Sequence, residues 1–165
     1  MEYIAEPLLL ASKAEGGAWA IREAKIEDLT AIAEIERKVY VLEGPWALDE
    51  FQESFVEPDT LYLVAVVGEQ IVGYSAANIE NNVGGLIAST VLPEYRRQGI
   101  AKEFLRLRLE WLDSQVKEII METRVDNDVI LNSYKAYGFK NVGLLSDYYN
   151  VGVHAFQMRR VLESQ

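Results

Sequence analysis

The sequence feature best suited to chemistry is a short basic turn between an apolar run and a long amphipathic pattern. It consists of Arg96, Arg97, Gln98, Gly99, Ile100 and Ala101. A strand-to-helix junction of this kind directs unpaired backbone N–H groups and the positive end of the helix dipole at one small volume. Gly99 lets the backbone approach a ligand closely, because it has no Cβ. The turn therefore predicts a phosphate-binding site or, alternatively, the basic first turn of an ordinary surface helix.

The spacing of this turn excludes two common phosphate-binding motifs, the P-loop and the three-glycine dinucleotide fingerprint. The segment instead resembles the acetyl-CoA signature of the GNAT superfamily of N-acetyltransferases. That signature has Arg or Gln, two residues, Gly, one residue, then Gly or Ala, after a strand that ends near Val and Pro. The matching residues are Val91, Pro93, Arg96, Gly99 and Ala101. The resemblance implies that acetyl-CoA binds along Thr90, Val91 and the turn 96–101.

Further segments are similar to particular branches of this superfamily. The Glu-x-Arg-x-x-Asn and Tyr-x-x-x-Gly-Phe motifs occur here as Glu122, Arg124, Asn127, Tyr134, Gly138 and Phe139. The loop at Pro45 and Trp46 and the segment 147–149 resemble protein N-terminal acetyltransferases, among them ribosomal-protein alanine N-acetyltransferases and the archaeal N-terminal enzymes. The chain departs from the pattern of these enzymes at Asn132 and Ser133, where apolar residues are usual, and at His154, where an acid is common.

Glu122 is the predicted general base. A chain-terminal α-amino group has a pKa of about 7.7–8.0, so a modest base suffices to deprotonate it near neutral pH. The resemblance places Glu122 at the mouth of a cleft where the two central strands diverge, and there it could accept the proton through water. An ion pair with Arg124 is the structural alternative.

Tyr134 is the predicted general acid, and the resemblance implies that it protonates the departing sulfur. A phenol near pKa 10 gives its proton to a thiolate near 8.5 at a cost of roughly 2 kcal/mol, so the residue should assist this step rather than drive it. The alternative is that the Tyr134 ring only packs in the core, four residues before Gly138. The backbone N–H near Val91 is the implied donor to the carbonyl oxygen. Asn127 is expected to hold CoA or to cap the following helix.

The resemblance also implies an acceptor site for a peptide. Its predicted walls are Glu43, Trp46, Tyr148 and Tyr149. Aromatic residues in loops also cover small cores, which is the alternative for each of them. His154 is expected to be a structural polar residue in a strand and not a catalyst.

Composition narrows the possible partners. The chain has 165 residues, no Cys, one His and a net charge of −10. These features exclude thiol catalysis and thiolate metal sites, argue against a metal centre and against nucleic acid, and favour a cationic substrate. We find no signal peptide and no apolar run near the ~20 residues of a membrane span. We therefore expect a cytoplasmic protein without a membrane or metal partner. Arg106 and Arg108 are expected on a solvated helix face.

The hydrophobic pattern predicts one α/β (α+β) domain over residues 18–165. The resemblance implies that this domain has the GNAT fold, a mixed, mostly antiparallel central sheet flanked by about four helices. Residues 1–17 are predicted to form an N-terminal extension or an added strand. The apolar stripe of the helix after the basic turn is predicted to comprise Ala101, Phe104, Leu105, Leu109 and Leu112. Predicted strands cover 18–22, 61–67, 71–79, 83–92 and 118–125, with closing strands near 139–143 and 154–158; predicted helices cover 27–39, 48–55 and 128–137.

These observations predict an acetyl-CoA-dependent N-acetyltransferase that acts on the N-terminal α-amino group of a protein or peptide. Acetylation of a polyamine or another small amine fits the acidic composition equally well. A catalytically silent acyl-CoA-binding module is the third possibility. The sequence does not indicate an oligomeric state.

Overall fold

The computed structural model describes residues 9–12 and 19–162, in which helices pack on both faces of one eight-stranded sheet. The described strands are β1 (Leu9–Ser12), β2 (Ala20–Glu23), β3 (Thr60–Val67), β4 (Gln70–Glu80), β5 (Val83–Val91), β6 (Glu118–Arg124), β7 (Lys140–Asn150) and β8 (Val153–Val161). The described α-helices are α1 (Leu29–Val39), α2 (Leu48–Phe55), α3 (Ile100–Asp113) and α4 (Asp128–Ala136). The predicted fold class, a mostly antiparallel sheet with four helices, is confirmed.

The strands lie in the order β1-β2-β3-β4-β5-β6-β8-β7. All neighbours are antiparallel except β5 and β6, which run parallel for two residue pairs, Gly84 with Ile119 and Gly85 with Ile120. We call these two pairs the seam. A Cβ on Gly84 would lie 2.9 Å from Cδ2 of Leu112. The missing side chain of Gly84 therefore lets α3 pack closely against the sheet at the seam.

Tight turns connect β3, β4 and β5 into the predicted meander. Gly68 turns β3 into β4 with φ of 62°, and Asn81 and Asn82 turn β4 into β5 with φ of 52° and 64°. Gly and Asn adopt this left-handed conformation more readily than other residues. The residue types at these turns thus account for the three consecutive antiparallel strands.

Residues of β3 alternate between two hydrophobic layers. Tyr62 and Val64 pack in one layer with the buried side chains of α1, whereas Leu63 and Ala65 pack in another with Phe104 of α3. Because successive side chains of a strand point to opposite faces, α1 and α3 must cover opposite sides of the sheet. The sheet is consequently buried on both faces between these helices.

The first turn of α3 differs from the prediction. Ala101 is exposed, although the helical pattern placed it on the buried stripe. It lies where α3 begins, and there it lines a surface cavity and does not contact the core. Ile100 is buried instead, at 2% exposure. The other members of the predicted stripe are buried: Phe104, Leu105, Leu109 and Leu112.

The prediction for Arg108 is wrong. Its residue exposure is 1%, whereas Arg106 is exposed as predicted. Arg108 lies one helical turn after Phe104 and one turn before Leu112, and therefore shares their buried face. The charge of the residue suggested solvent, but its position in the helix decided its burial.

The two ends of the chain add strands to the sheet. Leu9–Ser12 pairs with β2, so an added strand is the correct alternative for those four residues. The rest of segment 1–17 lies outside the described residues. The closing strands are longer than predicted, and β7 extends through Tyr148 and Tyr149. No helix in the described part of the chain is long and apolar enough to cross a lipid bilayer.

Candidate active site

A cleft opens beyond the seam, where the two central strands take different neighbours. β5 continues along β4 as far as Val91, whereas β6 continues along β8 as far as Arg124. The pairing between β5 and β6 ends at Gly85 and Ile120. We call the gap between the two diverging strands the cleft. The predicted divergence of the central strands is present at this point.

The edge of β5 presents backbone groups to the cleft. The N–H of Leu92 donates to the carbonyl oxygen of Val72 at 2.9 Å, on the β4 side. Neighbouring residues in an antiparallel strand direct their backbone groups to opposite edges, so the N–H of Val91 is directed toward the cleft. The Val91 carbonyl accepts a hydrogen bond from Nε of Arg96 at 2.9 Å. The Val91 N–H is thus positioned to donate to a ligand in the cleft.

The turn 96–101 forms a concave surface at the start of α3, which we call the cradle. Arg97 and Gly99 have left-handed backbones, with φ of 64° and 90°. The indole Nε1 of Trp19 donates to the Gln98 carbonyl at 3.0 Å and fixes the turn to the residue that precedes β2. A cavity of about 240 Å³ is lined by Val91, Tyr95, Arg96, Arg97, Gly99, Ile100, Ala101 and Lys102.

The cradle fits the phosphates of a coenzyme. The first N–H groups of a helix have no intrahelical partner, and the helix dipole adds positive potential at the same place. Arg96, Arg97 and Lys102 surround the opening with positive charge and are exposed. Within a chain of net charge −10, this concentration of cations suits a pyrophosphate.

Glu122 stands in β6 two residues beyond the seam and is half-buried. Its Oε1 accepts a hydrogen bond from Nε2 of Gln157 at 3.3 Å. Arg124 pairs with Glu43 at 3.0 Å and with Asp126 at 2.7 Å. The alternative in which Glu122 is the ion-pair partner of Arg124 is therefore wrong. A neutral amide holds Glu122, so the carboxylate charge is still available to a cationic amine.

Tyr134 extends from α4 to the region beneath the cleft. It is 6% exposed, and its ring contacts that of Phe139 edge to face at a centroid distance of 5.4 Å. The phenol oxygen accepts a hydrogen bond from Nη2 of Arg108 at 3.3 Å. Nη1 of the same guanidinium donates to the Ala88 carbonyl of β5 at 3.1 Å. Arg108 therefore brings the Tyr134 hydroxyl next to the part of β5 that borders the cleft.

The four residues predicted to bind the acceptor lie on two adjacent elements. Glu43 and Trp46 belong to the loop between α1 and α2, and Tyr148 and Tyr149 belong to β7. A Cβ on Gly44 would lie 3.8 Å from the Tyr149 carbonyl oxygen, so the loop and the strand are in contact. The two tyrosine rings meet edge to face at 4.9 Å. We call the surface formed by these four side chains the acceptor groove.

The acceptor groove borders the predicted base. Burial, and after it the neighbouring Tyr148 and Glu122, raise the pKa of Tyr149 above the usual range. Burial and the Glu122 charge also raise the pKa of Tyr148. Glu122 is thus close enough to act electrostatically on both rings. An amine bound between the tyrosines would lie near this carboxylate.

A half-buried polar group behind the groove was missed by the sequence analysis. Glu36 of α1 accepts hydrogen bonds from the Tyr74 hydroxyl and, at 3.5 Å, from the backbone N–H of Trp46. Burial raises the pKa of the Glu36 carboxyl. The helical pattern could have indicated the residue, because Glu36 lies one turn after the buried Ile32. Glu36 ties the acceptor loop to the sheet.

Tyr40 is a second residue that the sequence analysis missed. Its hydroxyl forms a hydrogen bond with the side chain of Thr90. The Tyr40 hydroxyl accepts a hydrogen bond from Thr90 at 2.8 Å and donates to the Ser89 carbonyl at 3.3 Å. Burial raises the pKa of Tyr40. Thr90 is 3% exposed, so a contact between its side chain and the coenzyme remains a prediction.

Two other predicted residues have structural contacts. Asn127 caps α4, because its Oδ1 accepts a hydrogen bond from the Ile130 N–H at 3.2 Å. Its predicted contact with CoA stays a prediction. His154 accepts a hydrogen bond at Nδ1 from the Asp147 N–H at 2.9 Å and closes the β7–β8 hairpin. This contact agrees with the structural role expected for it.

Comparison with known proteins identifies the family. Residues 26–139 match the model of the acetyltransferase (GNAT) family. The chain belongs to this family. It is 32% identical over 93% of its length to an N-alpha-acetyltransferase of Saccharolobus solfataricus, covering 99% of that protein. It is also 33% identical over 81% of its length to N-alpha-acetyltransferase RimI of Mycobacterium tuberculosis, covering 86% of that protein.

Solved structures show the same fold. The ribosomal-protein-S18-alanine N-acetyltransferase of Escherichia coli superposes with a TM-score of 0.78 at 20% identity, covering 89% of this chain and 96% of that one. Ard1 of Thermoplasma volcanium gives a TM-score of 0.78 at 22% identity, with 89% and 99% coverage. This GNAT chain is an acetyl-CoA-dependent N-acetyltransferase. Acetyl-CoA supplies the activated acetyl group as a thioester, and the cradle has the charge and backbone geometry to hold its phosphates.

Proposed function

We propose that this acetyltransferase acts on the N-terminal α-amino group of a protein or peptide. The observation that carries the proposal is the contact between the α1–α2 loop and β7, the two elements whose side chains make up the acceptor groove beside Glu122. Trp46 and Tyr148 are 40% and 49% exposed, so the groove is open to solvent along its aromatic walls. An open groove lets a polypeptide extend away from the site, whereas a small amine needs no such exit. The relatives named N-alpha-acetyltransferase support the same acceptor class.

In this proposal Glu122 prepares the amine. The acidic groove attracts the cationic chain terminus, and Glu122 accepts its proton directly or through one water molecule. An α-amino group needs little assistance near neutral pH because its pKa is about 7.7–8.0. A Lys side chain, near 10.4, would need a far stronger base. A half-buried carboxylate such as Glu122 is therefore matched to the α-amine.

Val91 and Tyr134 act on the thioester. As the amine attacks, the carbonyl oxygen gains negative charge, and the Val91 N–H directed into the cleft donates to it. Tyr134 then gives its hydroxyl proton to the sulfur as the C–S bond breaks. The cradle residues Arg96 and Gly99 hold the coenzyme during both steps.

Glu43 and Arg124 shape the acceptor end of the cleft. Their ion pair at 3.0 Å joins the acceptor loop to the last residue of β6, two positions after Glu122. The Arg124 guanidinium is thereby held away from the base by two carboxylates, those of Glu43 and Asp126. This arrangement keeps Glu122 from being neutralised by its own strand neighbour.

The test is a panel of acceptors assayed by CoA release. It contains short peptides with free N termini, matching peptides whose N terminus is acetylated and which carry an internal Lys, and small polyamines. We expect release with the free-N-terminal peptides alone at pH 7. Release with polyamines alone would refute the proposal in favour of a small-amine acetyltransferase, and acetyl-CoA binding without any release would indicate a silent module.

A groove variant and a matched control sharpen the test. Tyr149→Ala removes one wall of the groove and should raise the peptide KM by about 10-fold or more, because a buried aromatic contact is lost. Tyr137→Ala, at an exposed position on the C-terminal side of α4, should leave the peptide KM unchanged. Equal effects of the two substitutions would place the acceptor elsewhere.

A further inference from the structure

We propose that Arg108 is a positioning residue for proton transfer to the sulfur, acting through Tyr134. This inference rests on the proposed role of Tyr134 as the general acid. The Arg108 guanidinium donates to the phenol oxygen and fixes the direction in which that hydroxyl can give its own proton. Its charge also stabilises the phenolate that Tyr134 becomes.

The burial of Arg108 indicates a function beyond packing. It is 1% exposed and, within the described part of the chain, its guanidinium forms no ion pair with a carboxylate. Taking an arginine charge out of water costs several kcal/mol unless it is compensated. An apolar side chain of similar length would fill the position without that cost. A buried charge retained beside a reacting group suits a step in which negative charge develops.

The hydrogen bonds of Arg108 hold the guanidinium in one place. Nε donates to the Phe104 carbonyl at 3.3 Å, one turn earlier in α3. Nη1 donates to the carbonyls of Ala88 at 3.1 Å and of Ala76 at 3.5 Å. These three acceptors belong to the backbones of α3, β5 and β4. The remaining nitrogen, Nη2, is thereby directed at the Tyr134 hydroxyl.

This arrangement settles the direction of the Tyr134 proton. A phenol oxygen can accept hydrogen bonds but carries only one proton to donate. Arg108 donates only, so the Tyr134 proton must point away from the guanidinium. Ala88 lies three residues beyond the seam, and the phenol tied to it through Arg108 therefore stands at the base of the cleft. A proton directed away from the guanidinium is then available to a group in the cleft, where the thioester must lie.

The step is balanced in protons and electrons. When the C–S bond breaks, the sulfur takes the electron pair and receives the proton of Tyr134. Before the attack, Glu122 or water takes one proton from the cationic amine, and that proton passes to solvent. The neutral amine then forms the C–N bond, and its nitrogen gives a second proton to Glu122. This second transfer balances the proton that Tyr134 gives to the sulfur, and exchange with solvent restores both side chains. Until that exchange the site holds a phenolate 3.3 Å from the Arg108 nitrogen. A charge-assisted hydrogen bond at that position lowers the energy of this state.

A double-mutant cycle tests the coupling. Arg108→Met should lower kcat by about 10- to 100-fold, the value of a hydrogen bond to a charged group, with the acetyl-CoA dissociation constant from calorimetry nearly unchanged. In a Tyr134→Phe background the same substitution should lower kcat by less than about 3-fold. Arg108→Lys keeps the charge and should recover part of the rate. Arg106→Met, on the exposed face of the same helix, should leave kcat at the wild-type value.

The outcomes separate this inference from the one on which it rests. If Tyr134→Phe has the wild-type kcat, Tyr134 is not the general acid, and the proposed function loses that step. A loss in Tyr134→Phe combined with an equal Arg108→Met loss in both backgrounds would refute the role of Arg108 alone.

A readout without turnover checks the contact directly. In protein labelled with ¹³C at tyrosine Cζ, the Tyr134 resonance is identified by its disappearance in Tyr134→Phe. It should move in Arg108→Met and stay near its wild-type position in Arg108→Lys. A Tyr134 resonance that stays in place in Arg108→Met would overturn the proposal. If Arg108→Met does not fold, Arg108→Lys can still be used in the kinetic test.

Discussion

Replacing Tyr134 by Phe separates the chemistry of its hydroxyl from the packing of its ring. Phe preserves the edge-to-face contact with Phe139 and nearly all of the buried area. It removes the oxygen that accepts the hydrogen bond from Nη2 of Arg108. The variant therefore loses a proton donor to the cleft and leaves a buried charged donor without its acceptor.

These two losses have different sizes and different readouts. An orphaned buried donor costs about 1–3 kcal/mol of stability, which should appear in denaturant unfolding whether or not Tyr134 is catalytic. A lost general acid costs about 10²- to 10⁴-fold in kcat, equal to roughly 3–5 kcal/mol at the transition state. Because the thiol is a fair leaving group, the loss in kcat should lie near the lower end of that range.

Steady-state kinetics with thiol detection provide the measurement. The chain contains no Cys, so the enzyme adds no thiol of its own to the signal from released CoA. The decrease should fall on kcat, while the calorimetric affinity for acetyl-CoA stays within a factor of about three. A folded variant that is less stable but turns over at the wild-type rate would refute the reasoning, because Tyr134 would then serve packing and Arg108 alone.

Three other substitutions test separate parts of the structure. Gly99→Val places a side chain in the cradle and should abolish acetyl-CoA binding in calorimetry while circular dichroism shows a folded protein; undiminished affinity would move the coenzyme elsewhere. Glu122→Gln should reduce kcat/KM at pH 7 and recover above pH 8, where the free amine predominates, whereas a loss equal at all pH values would indicate a structural role. Burial opposes the ionisation of Asp28, but hydrogen bonds from Arg22 and the Lys25 N–H more than offset it and lower the pKa of Asp28. The ionised Asp28 therefore stabilises the folded state, fully above the unfolded pKa of about 3.9 and less and less as pH falls through the lower folded pKa. Asp28→Asn should lower the free energy of unfolding by about 1–3 kcal/mol at pH 7. The difference in stability between variant and wild type should shrink below pH 4.

Local patterns predicted the elements that depend on local forces. The meander β3–β5 follows from alternating residues and from Gly68, Asn81 and Asn82, whose types suit left-handed turns. The stripe of α3 follows from helical periodicity, apart from its first turn. The start of α3 after the basic turn could be predicted because it depends on consecutive residues, and phosphate binding at the cradle stays a prediction.

Contacts between distant segments could not be predicted in this way. The ion pair of Glu43 with Arg124 joins residues 81 positions apart, and no local pattern indicates that Arg124 prefers it to Glu122. Arg108 differs for another reason. Its charge favours solvent, whereas its position one helical turn after Phe104 places it on the buried face, and the position decides.

The seam also bears on how this enzyme can change. The cradle follows β5, the last strand of the β1–β5 half of the sheet, whereas Glu122 and the two groove tyrosines belong to the β6–β8 half. Among the described residues, strand pairing joins the two halves at two residue pairs only. Under the proposed function, mutation of the β7–β8 hairpin can change the acceptor preference, because this hairpin has no strand pairing with the described strands of the half that carries the cradle. The seam itself has little such freedom, because a side chain at Gly84 would collide with Leu112. Among related sequences, substitutions should consequently be frequent in the β7–β8 hairpin and rare at the seam.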